Sequence, residues 1–247
     1  MMRMERLTTD IETARRRLIQ SLFAIMVVFV LFEALRGEQS WSKVKAEGNL
    51  WNYGSSLQYF VAGELAFVNA LLVWYAARLV RLRRRSWSFL PWTAAGAGFT
   101  FFACDEMLEV HEKIGLRIEQ GIPWLAEHYS GHADNLIIFG YGLGALVFAA
   151  ALFKSMLLSR PAKAYFLAGM ISIGTAVMMD LVPRDLYILY LPLRETEELL
   201  ELLAGFLFAA SFLSAAAFSI SRILGILDVS GPDCVRRSDE TRSVPHG

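Results

Sequence analysis

Apolar residues along this chain gather in six long, nearly uninterrupted blocks: Leu18–Leu35, Tyr59–Val80, Ser88–Met107, Asn135–Leu158, Ala162–Val182 and Leu199–Ile220. A helix needs about 20 apolar residues to cross ~30 Å of hydrocarbon. Membrane strands would instead alternate in runs of about ten. The pattern therefore predicts an all-α, polytopic membrane protein, a six-transmembrane-helix bundle. Glu33 near the end of the first block, and the lack of an Ala-x-Ala type of cleavage site after it, mark that block as a retained helix and not a signal peptide.

The polar stretches between the blocks divide the chain. Residues 1–17 form an amphiphilic lead-in, in which Thr8, Thr9 or Asp10 can cap a helix running into the first block. Residues 18–222 form the membrane domain, and residues 223–247 a polar, disordered tail. Residues 36–57, with Trp41, Trp51 and Tyr53, read as an outer loop carrying an interfacial aromatic belt. A second outer loop over 113–134 is broken at Gly121-Ile122-Pro123. A third spans 183–196, where Tyr187-Ile188-Leu189-Tyr190-Leu191 is apolar enough to lie in the interface or to re-enter the membrane. Small residues at Ala94–Gly98, at Gly140, Gly142 and Gly144, and at Ala209-Ala210 and Ala215–Ala217 mark close helix approaches.

Composition agrees with the pattern: 55% of the 247 residues are hydrophobic, above the roughly 45–50% of soluble domains. The net charge of zero conceals an asymmetry. Arginine and lysine favour cytoplasmic loops. Seventeen of the 24 basic residues lie before the first block, around the second-to-third and fourth-to-fifth connections, or at the sixth block's end and in the tail. Both termini are thus expected in the cytoplasm of a cell whose inner (plasma) membrane the chain crosses several times. This orientation accounts for the basic patches, so no nucleic-acid partner is expected. Cys104 and Cys234 fall at opposite ends of the topology and form no disulfide framework.

The acids do the reverse: 17 of 24 fall in the outer halves of the blocks or the outer loops. Orientation does not require this, because Asp and Glu contribute little to it. The densest stretch is Asp105-Glu106-Met107-Leu108-Glu109-Val110-His111-Glu112, at the end of the third block. Charge at bilayer depth is costly, roughly 2.5–3.5 kcal/mol per residue on insertion scales, and usually marks a site. On one continuous helix Asp105, Glu109 and Glu112 fall within about 60° of one another, with Glu106 at the margin and His111 pointing elsewhere unless the helix frays there. Such a stack either holds protons or binds a cation; if the helix has already left the membrane at Cys104, it is instead a solvated acidic face paired to Lys113 and Arg117.

The last block opens with Glu195-Thr196-Glu197-Glu198-Leu199-Leu200-Glu201. Helix N-termini favour acids, which accounts for part of this cluster; Glu201, set deeper in an apolar run, is harder to explain so. Glu33, Glu64 and Asp180 add carboxylates from three more blocks, and His128-x-x-x-His132-x-Asp134 leads into the fourth. Ionisable groups from all six helices are expected at one depth.

Asp105-Glu106-x4-His111-Glu112, with Glu197-Glu198-x-x-Glu201 and Gly205 downstream, resembles a pattern in uncharacterised bacterial multi-pass membrane proteins. The resemblance implies a membrane bundle and no particular activity. An alkaline-ceramidase type of zinc hydrolase would need a histidine pair on the last helix, where this chain has none.

Carboxylates with one or two histidines suit Zn, Mn or Fe. The first functional expectation is an outward-facing site in which Asp105, Glu109, His111, Glu112, Glu198 and His132 bind a divalent metal. Glu106 or Glu201 would act as the base of a hydrolase acting on a lipid or small periplasmic molecule. The di-iron signature is absent, since Leu108 stands three before His111. The alternative is a proton- or cation-coupled transporter, in a homodimer if six helices are too few. A non-catalytic sensor or assembly subunit is the third.

Overall fold

A computed structural model describes residues 2–36, 50–79, 88–122, 124, 133–156, 159–180 and 187–229, with side chains for those over 6–31, 53–79, 88–122, 124, 137–156, 159–179 and 196–225. Its elements are all α: α1 (Met2–Arg36), α2 (Leu50–Leu79), α3 (Leu90–Leu108), α4 (Val110–Gly121), α5 (Ala133–Ser155), α6 (Arg160–Asp180) and α7 (Tyr187–Val229). Every predicted apolar block falls mainly within one helix. Among the described residues, four stretches are long and apolar enough to cross a membrane: Tyr53–Leu79, Ile137–Ser155, Arg160–Met179 and Thr196–Gly225. This is a membrane protein of the all-α class.

Helix α7 is the hub, packed against α6, α2 and α1, while α3 packs on α2 and α4 on α5. Within the apolar stretches, 61% of α7 is buried but only 6% of α5, which places α5 at the rim. Between α3, α6 and α7 the core is aromatic. Phe99 meets Phe208 edge-on at 4.8 Å and Phe212 at 5.3 Å, and Trp92 and Phe166 close the cluster.

Polar side chains fix how the helices register. Tyr59 of α2 donates to the Glu201 carbonyl at 3.3 Å, and Asn69 donates to the Phe212 carbonyl at 2.8 Å. Ten residues on along α2 match eleven along α7, so the two helices run parallel. Ser211 donates to the Ala162 carbonyl of α6 at 2.7 Å, and Phe208 packs on Phe166, so α6 runs the other way. Arg15 of α1 donates to the Ser214 hydroxyl at 2.9 Å, while Phe23 packs on Phe206. Helix α1 is therefore also antiparallel to α7. The N-terminal part of α1 and the C-terminal part of α7 share one end of the bundle. The opposite end collects the start of α2, the end of α3 and the acidic part of α7.

Several expectations change. Thr8, Thr9 and Asp10 sit inside α1, which begins at Met2, so they do not cap it. Trp51 and Tyr53 belong to α2, which starts nine residues before the apolar block. Tyr187–Leu191 forms no separate interfacial segment; it is the first part of α7. Gly96 does admit a neighbour, Phe67, whose ring lies 2.8 Å from where a Cβ would stand. No side chain or neighbouring helix packs within 4 Å of such a position at Gly140, Gly142 or Gly144, so these glycines mark no close approach among the described residues. Further close approaches lie at Gly54 against Phe29, at Gly63 against α3, at Gly169 against Phe208 and at Gly205 against Gln58.

Candidate functional site

The acidic stretch after Ala103 is not one helix. Glu109 takes φ 51° and ψ 44°, the left-handed conformation, ends α3 and starts α4. For a residue with a Cβ this costs roughly 1–2 kcal/mol, so local bonds must offset it. The Glu109 N–H closes α3 onto the Asp105 carbonyl, and the Lys113 ammonium donates to the Leu108 carbonyl. Across the break, the Asp105 carboxylate does what an N-cap would do for α4. Its Oδ1 accepts the His111 backbone N–H at 3.0 Å, satisfying a donor of the first turn.

The same carboxylate holds the ring: Oδ2 lies 2.7 Å from His111 Nδ1. Asp105 is 3% exposed and His111 9%, so this is a buried histidine–carboxylate pair at the bundle's acidic end. With Nδ1–H donated to Asp105, Nε2 is the ring atom left to take or give a proton. A histidine oriented by a carboxylate is the arrangement used for general acid–base work and for proton relay.

This corrects the helical-wheel expectation. Asp105, Glu109 and Glu112 do not stack on one face, because the chain turns at Glu109; Glu112 is exposed on α4. His111, expected to point elsewhere unless the helix frayed, is brought by this break to Asp105 as its partner. Sequence reasoning failed here because Met107-Leu108-Glu109-Val110 contains neither Gly nor Pro to announce a left-handed residue.

Glu106 joins the pair from α3. It is half-buried and lies within electrostatic reach of His111, Asp105 and Glu112 on its own side and of Glu198 on α7. Tyr59 of α2 is buried and feels the charges of both Glu106 and Glu201. Tyr141 of α5 is within reach of Asp105 and packs edge-on against Phe101 and Phe102 at 5.3 and 5.7 Å. Helices α2, α3, α4, α5 and α7 thus all supply groups to one locus. Tyr59 and Tyr141 were not anticipated as members; aromatic residues in an apolar run give no signal of a polar role.

Helix-end capping no longer accounts for the acids of α7. That helix begins at Tyr187 with no acid in its first turn, so Glu197, Glu198 and Glu201 lie more than two turns inside, beyond the reach of the terminal dipole. Glu64 does not join the locus. It is exposed on the outside of α2. Asn69 of the same helix lies deeper and is fully buried as a tie to α7. His128 and His132 lie outside the described residues, as do the side chains of Glu33, Asp134, Asp180 and Glu195. Among the described residues, no group of three or more His, Cys, Asp or Glu side chains is disposed to hold a metal ion.

A family model designated DUF8692, a domain of unknown function, matches residues 21–216. The chain belongs to this family. The matched DUF8692 region runs from the apolar part of α1 into α7 and contains every residue of the locus just described. No curated protein and no solved structure matches the chain.

Proposed function

We propose that this DUF8692 protein is a proton-coupled integral membrane protein in which His111, held by Asp105, is the group that loads and releases the proton. Its six apolar blocks all cross the inner (plasma) membrane, with both termini cytoplasmic and the acidic end facing outward, as the distribution of arginine and lysine favours. Glu106 and Glu201 exchange the proton with Nε2 and with Tyr59, and Glu198 sets the negative potential around them.

What carries this reading is the Asp105–His111 contact of 2.7 Å at the break between α3 and α4. It fixes one ring nitrogen and leaves the other for exchange, beside a half-buried carboxylate. Intramembrane acids paired with histidine are the usual parts of proton relays.

The test is proton entry into liposomes carrying the purified protein, driven by an imposed membrane potential and followed with a trapped pH dye. Wild type should exceed protein-free liposomes, and His111→Gln and Asp105→Asn should return to their level. Wild type indistinguishable from empty liposomes would overturn the reading. Metal analysis of the same preparations separates the other chemistry. Stoichiometric Zn, Mn or Fe that is lost in His111→Gln, with no proton entry, would put a metal-dependent hydrolase in its place.

A further inference from the structure

Along one face of α1, polar side chains recur at three- and four-residue spacing: Thr9, Glu12, Thr13, Arg16, Arg17 and Gln20. They line an open hollow of about 590 Å³. It lies beside the face that packs on α7 through Ile19, Leu22 and Met26. Glu12 is already committed, accepting from Arg15 and Arg16, while Arg15 also holds Ser214. Three arginines thus surround one carboxylate, and the hollow keeps a positive excess. Arg16 and Arg17 are both exposed.

The depth of this hollow is unusual. No charge stands between Glu201 and Arg222 of α7, a length of about 30 Å that matches the hydrocarbon layer. Arg78 of α2 stands nine residues beyond Asn69 and Arg222 ten beyond Phe212, its bonded partner, so the two arginines mark one level. Arg15 is bonded to Ser214, eight residues short of Arg222. That step is about 12 Å, longer than an arginine side chain. Arg16, Arg17 and Gln20 lie further in again, because α1 runs opposite to α7. Charge at such a level is stable only where polar groups reach it. Tilting of the bundle or thinning of the leaflet achieves this, and either brings lipid headgroups up along the polar face of α1.

We propose that the hollow binds an anionic phospholipid of the leaflet at this end, its phosphate on Arg16 and Arg17 and its glycerol oxygens on Thr13 and Gln20. Guanidinium groups suit phosphate because two N–H groups of one fork can meet two oxygens. Beyond Gln20 the same face of α1 turns apolar, and Phe23, Val27 and Leu31 are exposed. From Gln20 to Leu31 is about 16 Å, half the hydrocarbon thickness and the depth of one acyl chain. A second copy of the chain would bring the same positive excess to the hollow. A free phosphate would leave the apolar track bare. The site lies at the opposite end of the bundle from His111 and stands independently of that reading.

The experiment is native mass spectrometry of the full-length protein in detergent, with dioleoyl phosphatidylglycerol or dioleoyl phosphatidylcholine added at equal concentration. Phosphatidylglycerol should stay bound and phosphatidylcholine should not. Arg16→Gln combined with Arg17→Gln should weaken that binding about tenfold. Arg78→Gln combined with Arg222→Gln removes the same charge outside the hollow and should leave binding unchanged. Equal weakening by the two double variants, or no preference between the lipids, would overturn the site. Displacement of the lipid by millimolar inorganic phosphate would give the hollow to a free anion instead. A lipid-free dimer that is lost in the Arg16→Gln, Arg17→Gln variant would give it to a second copy.

Discussion

Asp105 holds His111 at two points, the backbone N–H at 3.0 Å and the ring Nδ1 at 2.7 Å, so one carboxylate both starts α4 and orients the histidine. Removing it leaves two buried donors unpaired. Each such loss costs about 1–3 kcal/mol. Asp105→Ala should therefore lower the unfolding midpoint in a detergent titration by clearly more than Asp105→Asn, which retains an acceptor for the backbone N–H. Both should abolish function, since neither presents a carboxylate to the ring. Equal midpoints for Asp105→Ala and wild type would show that the contact does not form in the folded protein.

The left-handed Glu109 makes the opposite prediction. A glycine at φ 51° avoids the Cβ penalty, so Glu109→Gly should stabilise the protein by about 1 kcal/mol. Glu109→Val, β-branched, should destabilise it by at least as much. A gain for glycine with proton entry retained would place Glu109 among the turn-forming residues and outside the relay. Loss of proton entry at unchanged stability would return it to the site.

These two residues also show what the sequence could and could not reveal. The apolar blocks report burial in hydrocarbon or core, and each falls mainly within one helix among the described residues. Helix ends were less legible. Once a helix leaves the apolar layer its composition is free, so α2 starts before its block and α7 starts at Tyr187, well ahead of Leu199. That early start matters chemically, because it moves Glu198 and Glu201 from a terminal cap to the helix interior. The acidic end as a locus followed from counting acids at one depth, but its membership did not. Wheel geometry assumed a continuous helix through Glu109 and so grouped the wrong carboxylates.

Gly63 and Gly98 should respond oppositely to alanine. A Cβ at Gly63 would lie 3.1 Å from the Thr100 backbone nitrogen and 3.2 Å from the Gly96 carbonyl oxygen, atoms that cannot rotate away. Gly63→Ala should cost about 1–3 kcal/mol through overpacking. At Gly98 the added methyl meets nothing within 4 Å. There alanine should gain up to about 1 kcal/mol from helix propensity. Paired detergent titrations check both. Similar midpoints for the two variants would mean that α2 and α3 are not in the contact described.

At the far end of the bundle, acid should loosen the tie between α1 and α7. Glu12 accepts from Arg15 Nε at 2.8 Å and from Arg16 at 3.2 Å, and Arg15 in turn holds Ser214. The hydrogen bond from Arg15, more than any other cause, sets the Glu12 carboxyl below its ordinary value. A carboxylate lowered in the folded state contributes stability above its unfolded pKa, roughly 4.3, and loses it as pH falls through the lowered value. With 43% of the Glu12 side chain exposed, water and salt screen the pair, and its worth stays under about 1 kcal/mol. Hydrogen exchange of the α1 amides around Arg15 should therefore accelerate only below about pH 4.3. In Glu12→Gln the same amides should show one reduced level of protection across that range. High salt should shrink the difference between the two proteins. An acid response that persists in Glu12→Gln would assign the pH sensitivity of this contact to another group.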